Sequence, residues 1–226
     1  MDYSYLDKNI GEVRAAINAA GGENVVMLAA VKSAEVDEIN YIHKNLGVND
    51  IGENRVQQLL SRYDALDKEN LNIHFIGHLQ TNKVKYIIDK VCMIHSLDSE
   101  KLAKEINSRA KKHGLVMNVL VEINSGREEN KDGVMPEDAE ALCLSLAKYE
   151  NIKLCGFMTM APKCTDESEY LKYFGEMRDL ALDIWKNRLG KDESPVLSMG
   201  MSGSFKEAVA CGSTMVRIGS RLFVKS

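Results

Sequence analysis

Three features of the sequence predict an α/β fold. Short runs that are apolar on successive positions, as strands covered on both faces require, alternate with stretches whose apolar residues recur at the helical period. Eight such runs follow one another without a low-complexity linker, and only Pro136, Pro162 and Pro195 interrupt the chain as prolines. At 226 residues and 25.2 kDa the chain suits one core. Eight strands in regular alternation with helices favour a closed barrel over the competing three-layer sheet. The reading is a single-domain TIM-like (β/α)8 barrel over residues 1–226, with an additional amino-terminal helix.

The first helix is read from Leu6, Ile10, Val13, Ile17 and Ala20, with Gly21-Gly22 as its stop. VVMLAAV, Val25 to Val31, forms the first strand and leaves Lys32 at its carboxyl end. A second strand near Gly47 to Ile51 precedes a helix from Arg55 to Leu66, and Leu71 to Ile76 precedes one from Thr81 to Ile88. Val91 to Ile94 leads into the helix Ser99 to Lys112, and Leu115 to Ile123 is the longest strand so far. The segment Ser125 to Asp138 reads as a functional or mobile loop that delays the helix Ala139 to Tyr149. Strands at Ile152 to Met158, Val196 to Met199 and Met215 to Ile218, with helices at Tyr170 to Leu189 and Phe205 to Ala210, complete the barrel.

Composition excludes several classes. The charge of -4, with no basic arm, argues against nucleic acid as a partner. The amino terminus is acidic and polar, unlike a signal peptide. The longest apolar run, Val25 to Val31, is far below the roughly 20 residues that cross a bilayer. Five scattered cysteines read as reduced thiols of a cytoplasmic protein rather than as a metal site. No heptad repeat is present, so a monomer is expected.

Lys32 is the sharpest local anomaly, a charge at the end of a buried strand, where barrel chemistry collects. Burial would depress its pKa and make it a covalent anchor for an aldehyde; the competing reading is a lysine that snorkels from the rim. GMSGSFKEA, Gly200 to Ala208, can offer backbone N–H groups and Ser202 to phosphate oxygens, and GSTMVRIGSRLF repeats the idea with Gly219 and Ser220. Two tight turns would look the same. Arg217, inside an apolar strand, needs either an ion pair or a ligand such as a ring nitrogen. Asn54 caps a helix or touches a ligand. His74 and His78 are separated by a strand end and Gly77, which disfavours a metal pair. Gln80, Asn82 and Lys83 surround the following turn, where capping and core packing are the simpler roles. Glu122 and Asn124 fall near a barrel rim, and Lys131 solvates the long loop.

In order along the chain, LAAVK, IGENRVQ, HFIGHLQTNK, NSGREENKDG, GFMTM, GMS and GSTMVRIG resemble the pyridoxal phosphate homeostasis protein family, which shares a barrel with the amino-terminal domain of alanine racemase. The resemblance implies that Lys32 forms the internal aldimine with pyridoxal 5'-phosphate and that Arg217 faces the pyridine nitrogen. It also implies that Ser202, Gly219 and Ser220 hold the phosphate, with Asn54 a further contact. The implied function is cofactor homeostasis by reversible aldimine formation and transfer, with amino acids and apo-enzymes as recipients. No residue is expected to support robust turnover. Racemisation needs a second acid or base, and the chain ends where a racemase's second domain would begin. The rivals are a weak pyridoxal-phosphate-dependent racemase and, more distantly, a Schiff-base aldolase. Two positions depart from the family pattern: Ser204 where aspartate is usual, and Val224 where glycine is usual.

Overall fold

A computed structural model describes residues 2–225. Its strands are β1 (Val26–Ala30), β2 (Asp50–Glu53), β3 (Asn72–Phe75), β4 (Met93–Leu97), β5 (Met117–Ile123), β6 (Ile152–Thr159), β7 (Val196–Met201) and β8 (Met215–Ile218). They run parallel in sequence order, and β8 pairs with β1 to close the barrel. The helices are α1 (Ser4–Ala19), α2 (Val36–Leu46), α3 (Val56–Arg62), α4 (Glu100–Lys112), α5 (Ala139–Ser145), α6 (Glu167–Leu182) and α7 (Phe205–Ala210). A 3₁₀ helix, Thr81–Tyr86, stands where the sequence predicts a helix after β3.

The α1 stripe Leu6, Ile10, Val13 and Ile17 is fully buried, as its spacing requires. Helix α2 is the element that apolar periodicity does not reveal. Its inward face mixes Glu38 and His43 with Ile39 and Ile42, so the stripe is broken by polar residues. What builds it is capping: Glu35 and Glu38 form a reciprocal box at the start, and Gly47 ends it in the left-handed region at φ 59°. Gly47 therefore closes a helix rather than opening β2, which begins at Asp50. Glu38 accepts a hydrogen bond from Tyr5 and so ties α2 to α1. Asp166 caps α6, accepting from the Glu169 N–H at 3.0 Å, and starts that helix three residues before the predicted Tyr170.

Most of the apolar core lies between the sheet and its helical coat, in one cluster that includes Phe75, Phe157, Phe174 and Trp185. Inside the barrel the buried apolar cluster is small: Leu28, Ile76 and Met215. The rest of the interior carries buried polar side chains, among them His74, His95, Ser198 and Arg217. Barrels of this class are ordinarily filled by branched aliphatics, so this departure marks the interior for function. No described helix is long and apolar enough to cross a membrane.

Candidate functional site

Parallel pairing places the carboxyl ends of all strands at one mouth. Because β8 closes onto β1, the ends of β7, β8, β1 and β2 are consecutive around the rim, carrying Ser202, Gly219, Lys32 and Asn54. The two small-residue turns do converge: the Gly219 N–H donates to Ser202 Oγ at 3.3 Å. A Cβ on Gly219 would meet the Ala30 carbonyl oxygen at 3.0 Å and Ala30 Cβ at 3.3 Å, so β8 and β1 approach closely here. Gly219→Ala is expected to cost about 1–3 kcal/mol in urea unfolding, since backbone cannot retreat as a side chain can. Gly203→Ala, with nothing within 4 Å, is the matched control and should be near neutral.

Lys32 is exposed, as the reading of a lysine that snorkels from the rim has it, and not as the reading of an amine made reactive by burial does. Its main chain, in contrast, is pinned. Gln58 Nε2 donates to the Lys32 carbonyl at 2.8 Å, while Arg62 donates to the carbonyls of Val31 and Ala34 at 3.1 and 3.0 Å. Arg62 is itself paired with buried Glu53, Nε to Oε1 at 2.6 Å. Burial pushes the Glu53 carboxyl up against the pull of Arg62. Among the described residues the Lys32 ammonium has no hydrogen bond or ion pair, so an accessible amine stands on a fixed base.

Arg217 is 4% exposed and makes no ion pair among the described residues. Nη1 donates to the Ser198 carbonyl at 2.6 Å and Ser198 Oγ at 2.9 Å, and Nη2 donates to the Thr159 carbonyl at 2.9 Å. Burial lowers its pKa to about 10, with Glu122 opposing, and it stays cationic at neutral pH. Glu122 is 3% exposed. Burial, then the charge of Asp132, raises its carboxyl to about 7; Arg217 pulls the other way and Asp98 adds to the rise. It lines a cavity of about 150 Å³ with Asn124, Lys131, Asp132, Met160 and Met201.

The remaining candidates divide. Asn54 does not cap α3, whose cap position is Arg55; its Oδ1 is buried without a hydrogen-bond partner, an acceptor left for a ligand. The Ser220 position lines a hollow beside α1 with Asn9, Glu12 and Val13, on the flank of the barrel. Asn124 braces the long loop, donating to the Glu128 carbonyl at 2.8 Å and accepting from its N–H at 3.2 Å. Lys131 is exposed. His78 pairs with Asp132 at 2.9 Å on the rim, far in role from His74, which is buried within the barrel. Gln80 stands at the start of the 3₁₀ helix without a side-chain cap, Asn82 is exposed, and Lys83 lies 5.9 Å over the Tyr86 ring.

Ser204 holds the first position before α7 without a side-chain cap, because its Oγ instead accepts from the Met201 N–H at 3.3 Å and closes the turn carrying Ser202. Val224 contributes a carbonyl to Asn9 Nδ2 at 3.0 Å, a contact its side chain does not affect. Sequence reasoning passed over His95 and Ser198. Their signal is a polar residue in a run whose neighbours are apolar, MIHSL and VLSMG.

A family model described as alanine racemase, N-terminal domain, matches residues 1–226. The chain is 41% identical over 219 residues to the pyridoxal phosphate homeostasis protein of Aquifex aeolicus, covering 96% of this chain and 95% of that one. It is 37% identical over 227 residues to the protein of the same name from Helicobacter pylori, covering 99% of each. Among solved structures it resembles PipY of Synechococcus elongatus with pyridoxal phosphate bound, at a TM-score of 0.83 and 25% identity, over 97% of this chain and 100% of that one. Motifs, barrel and relatives agree, and the chain belongs to the alanine racemase N-terminal domain family, among the pyridoxal phosphate homeostasis proteins.

Proposed function

We propose that this chain is a pyridoxal 5'-phosphate carrier that holds the cofactor through a Schiff base on Lys32, hands it to free amines or apo-enzymes, and lacks robust amino-acid turnover. The observation that carries this reading is Lys32 itself, an exposed amine on a pinned main chain, one strand from the Ser202–Gly219 junction. The surroundings fit the cofactor. Asn54 Oδ1, buried at the end of β2 beside Lys32, has no hydrogen-bond partner among the described residues. Pyridoxal phosphate held there would supply an aldehyde carbon that a primary amine can take up with loss of water and that a second amine can take over as the first leaves.

Ser202 and the backbone N–H groups of Gly219 and Ser220 would take the phosphate, and Arg217 would face the ring nitrogen. A guanidinium holds its proton and has no acceptor, so Arg217 leaves that nitrogen unprotonated, which disfavours carbanion chemistry and favours amine exchange. The carrier is read as a monomer in the cytoplasm, a reducing compartment that suits its five free thiols.

Purified protein titrated with pyridoxal phosphate should develop the visible band of a protonated imine, and borohydride reduction followed by peptide mass spectrometry should place the adduct on Lys32. Lys32→Ala should lose both signals. No adduct at saturating cofactor would sink the carrier reading. Weak racemisation keeps one supporting observation, Glu122 at the mouth with a carboxyl near neutrality. Multiple-turnover exchange of solvent deuterium into an amino acid, lost in Glu122→Gln, would favour that second reading.

A further inference from the structure

The polar side chains inside the barrel form one continuous chain. Arg217 Nη1 lies 2.9 Å from Ser198 Oγ, which lies 3.2 Å from His95 Nδ1. His95 Nε2 is 2.9 Å from His74 Nδ1, and His74 Nε2 is 3.1 Å from Asp50 Oδ1. The two imidazoles meet edge to face, with centroids 5.0 Å apart and planes at 89°. Strands β8, β7, β4, β3 and β2 each contribute one member.

While both rings are neutral, the Asp50 end sets the direction of every bond. A guanidinium only donates and a carboxylate only accepts. Ser198 therefore receives from Arg217 and gives its hydroxyl proton to His95 Nδ1. His95 carries its proton on Nε2 and gives it to His74 Nδ1, and His74 carries its own on Nε2, facing Asp50. Each contact is satisfied with both rings neutral. Burial, then the neighbouring His74 and Arg217, holds His95 well below the ordinary imidazole range, in keeping with a neutral His95 ring. Against the upward push of burial, His74 and Asn72 keep the Asp50 carboxyl below the usual carboxylate range. Reversing the chain with neutral rings would turn an imidazole lone pair of His74 toward the Asp50 carboxylate, two acceptors face to face, so the order is fixed. The chain is a fixed ladder of dipoles whose lone pairs face Arg217.

That ladder answers a need. Arg217 is a buried cation with no carboxylate in contact, an arrangement that is costly without ordered acceptors. We propose that Ser198, His95, His74 and Asp50 are positioning residues that fix the plane and charge of Arg217 for the cofactor's ring nitrogen, an inference that rests on the carrier reading. The outer end of the relay is remote from the mouth. Asp50, with 24% of its side chain exposed, opens β2 at the other end of the barrel and lines a cavity of about 360 Å³ with Arg14, Glu23 and Asn49. A change at the base of the barrel should thus be felt by a cofactor at its mouth.

The test uses the full chain. In cofactor-free protein, nitrogen-15 NMR at pH 7 should show His74 and His95 both as neutral Nε2–H tautomers; an Nδ1–H form at either overturns the relay. This readout needs no cofactor, so a wild-type protein that forms no adduct sinks the carrier reading without touching the tautomers. In cofactor titrations, His95→Leu should weaken binding about tenfold and shift the visible band, the loss of a hydrogen bond serving a charged group. His95→Gln, which can accept from Ser198 and donate to His74, should stay within about threefold of wild type, equivalent to under 1 kcal/mol. Asp50→Ala should also weaken binding, whereas Glu23→Gln, in the same basal cavity but outside the chain, should not. A folded His95→Leu that binds like wild type, or a His95→Gln equally damaged, overturns the proposal. If His95→Leu does not fold, Asp50→Ala decides: unchanged affinity and spectrum there also overturn it.

Discussion

Arg62→Met is expected to lower the unfolding free energy at pH 7 by about 3–5 kcal/mol, the usual cost of stripping one partner from a buried ion pair. Glu53 is fully buried, and both close contacts from Arg62 reach a single oxygen, Oε1, leaving Oε2 without a partner even in the intact protein. Without the guanidinium nothing charged compensates that carboxylate. For a chain of this size the loss corresponds to a fall in Tm of about 10 °C. Protonation relieves the stranded acid, so the deficit should shrink at pH 5. Glu53→Leu combined with Arg62→Met should recover most of the stability, because an apolar pair of similar volume replaces the ions without desolvation. It should not recover cofactor affinity, since the carbonyls of Val31 and Ala34 on either side of Lys32 have lost their donor. Urea unfolding and cofactor titration of the three proteins separate the two roles. A single variant within about 1 kcal/mol of wild type would show that the pair contributes little.

Glu122→Gln should stabilise the protein above pH 7 and leave it unchanged near pH 4. The folded carboxyl is raised to about 7 from an ordinary value of 4.5. Below pH 4.5 folded and unfolded states are both protonated and the contribution is fully present. Between 4.5 and 7 the folded state keeps a proton that the unfolded state has released, so stability falls as pH rises and is lost above about 7. The span corresponds to roughly 3 kcal/mol at 1.36 kcal/mol per pH unit. Glutamine mimics the protonated side chain at every pH, so the difference between variant and wild type should grow through this window and then level off. Thermal melts from pH 4 to 8 measure it. A flat difference would mean that Glu122 titrates normally.

Much of the fold was readable because its strands are covered on both faces. Runs such as Leu115 to Ile123 and Ile152 to Met158 are mostly apolar without strict alternation, and these became β5 and β6 within about two residues. Helix α2 escaped because its buried face spends two positions on Glu38 and His43, and its start is set by a reciprocal glutamate box rather than by serine or threonine. The site was readable where a residue is conspicuous locally: Lys32 after VVMLAAV, Arg217 within MVRI, and small residues in the turns around Ser202 and Gly219. The Arg62 clamp was not, because it joins the ends of three different segments and an arginine in a helix looks like a solvated one.

The order of the strands, the lysine at the end of β1 and the arginine within β8 follow from the chain alone, since periodicity and local composition are short-range properties. Closure of β8 onto β1 decides the rest. That pairing brings Gly219 beside Ala30, the β7–β8 pairing brings it beside Ser202, and only the common inward face of five strands lines up Asp50, His74, His95, Ser198 and Arg217. Tertiary structure also decided that Lys32 is exposed while its main chain is held, because burial depends on what the barrel mouth encloses and not on the apolar run that precedes the lysine.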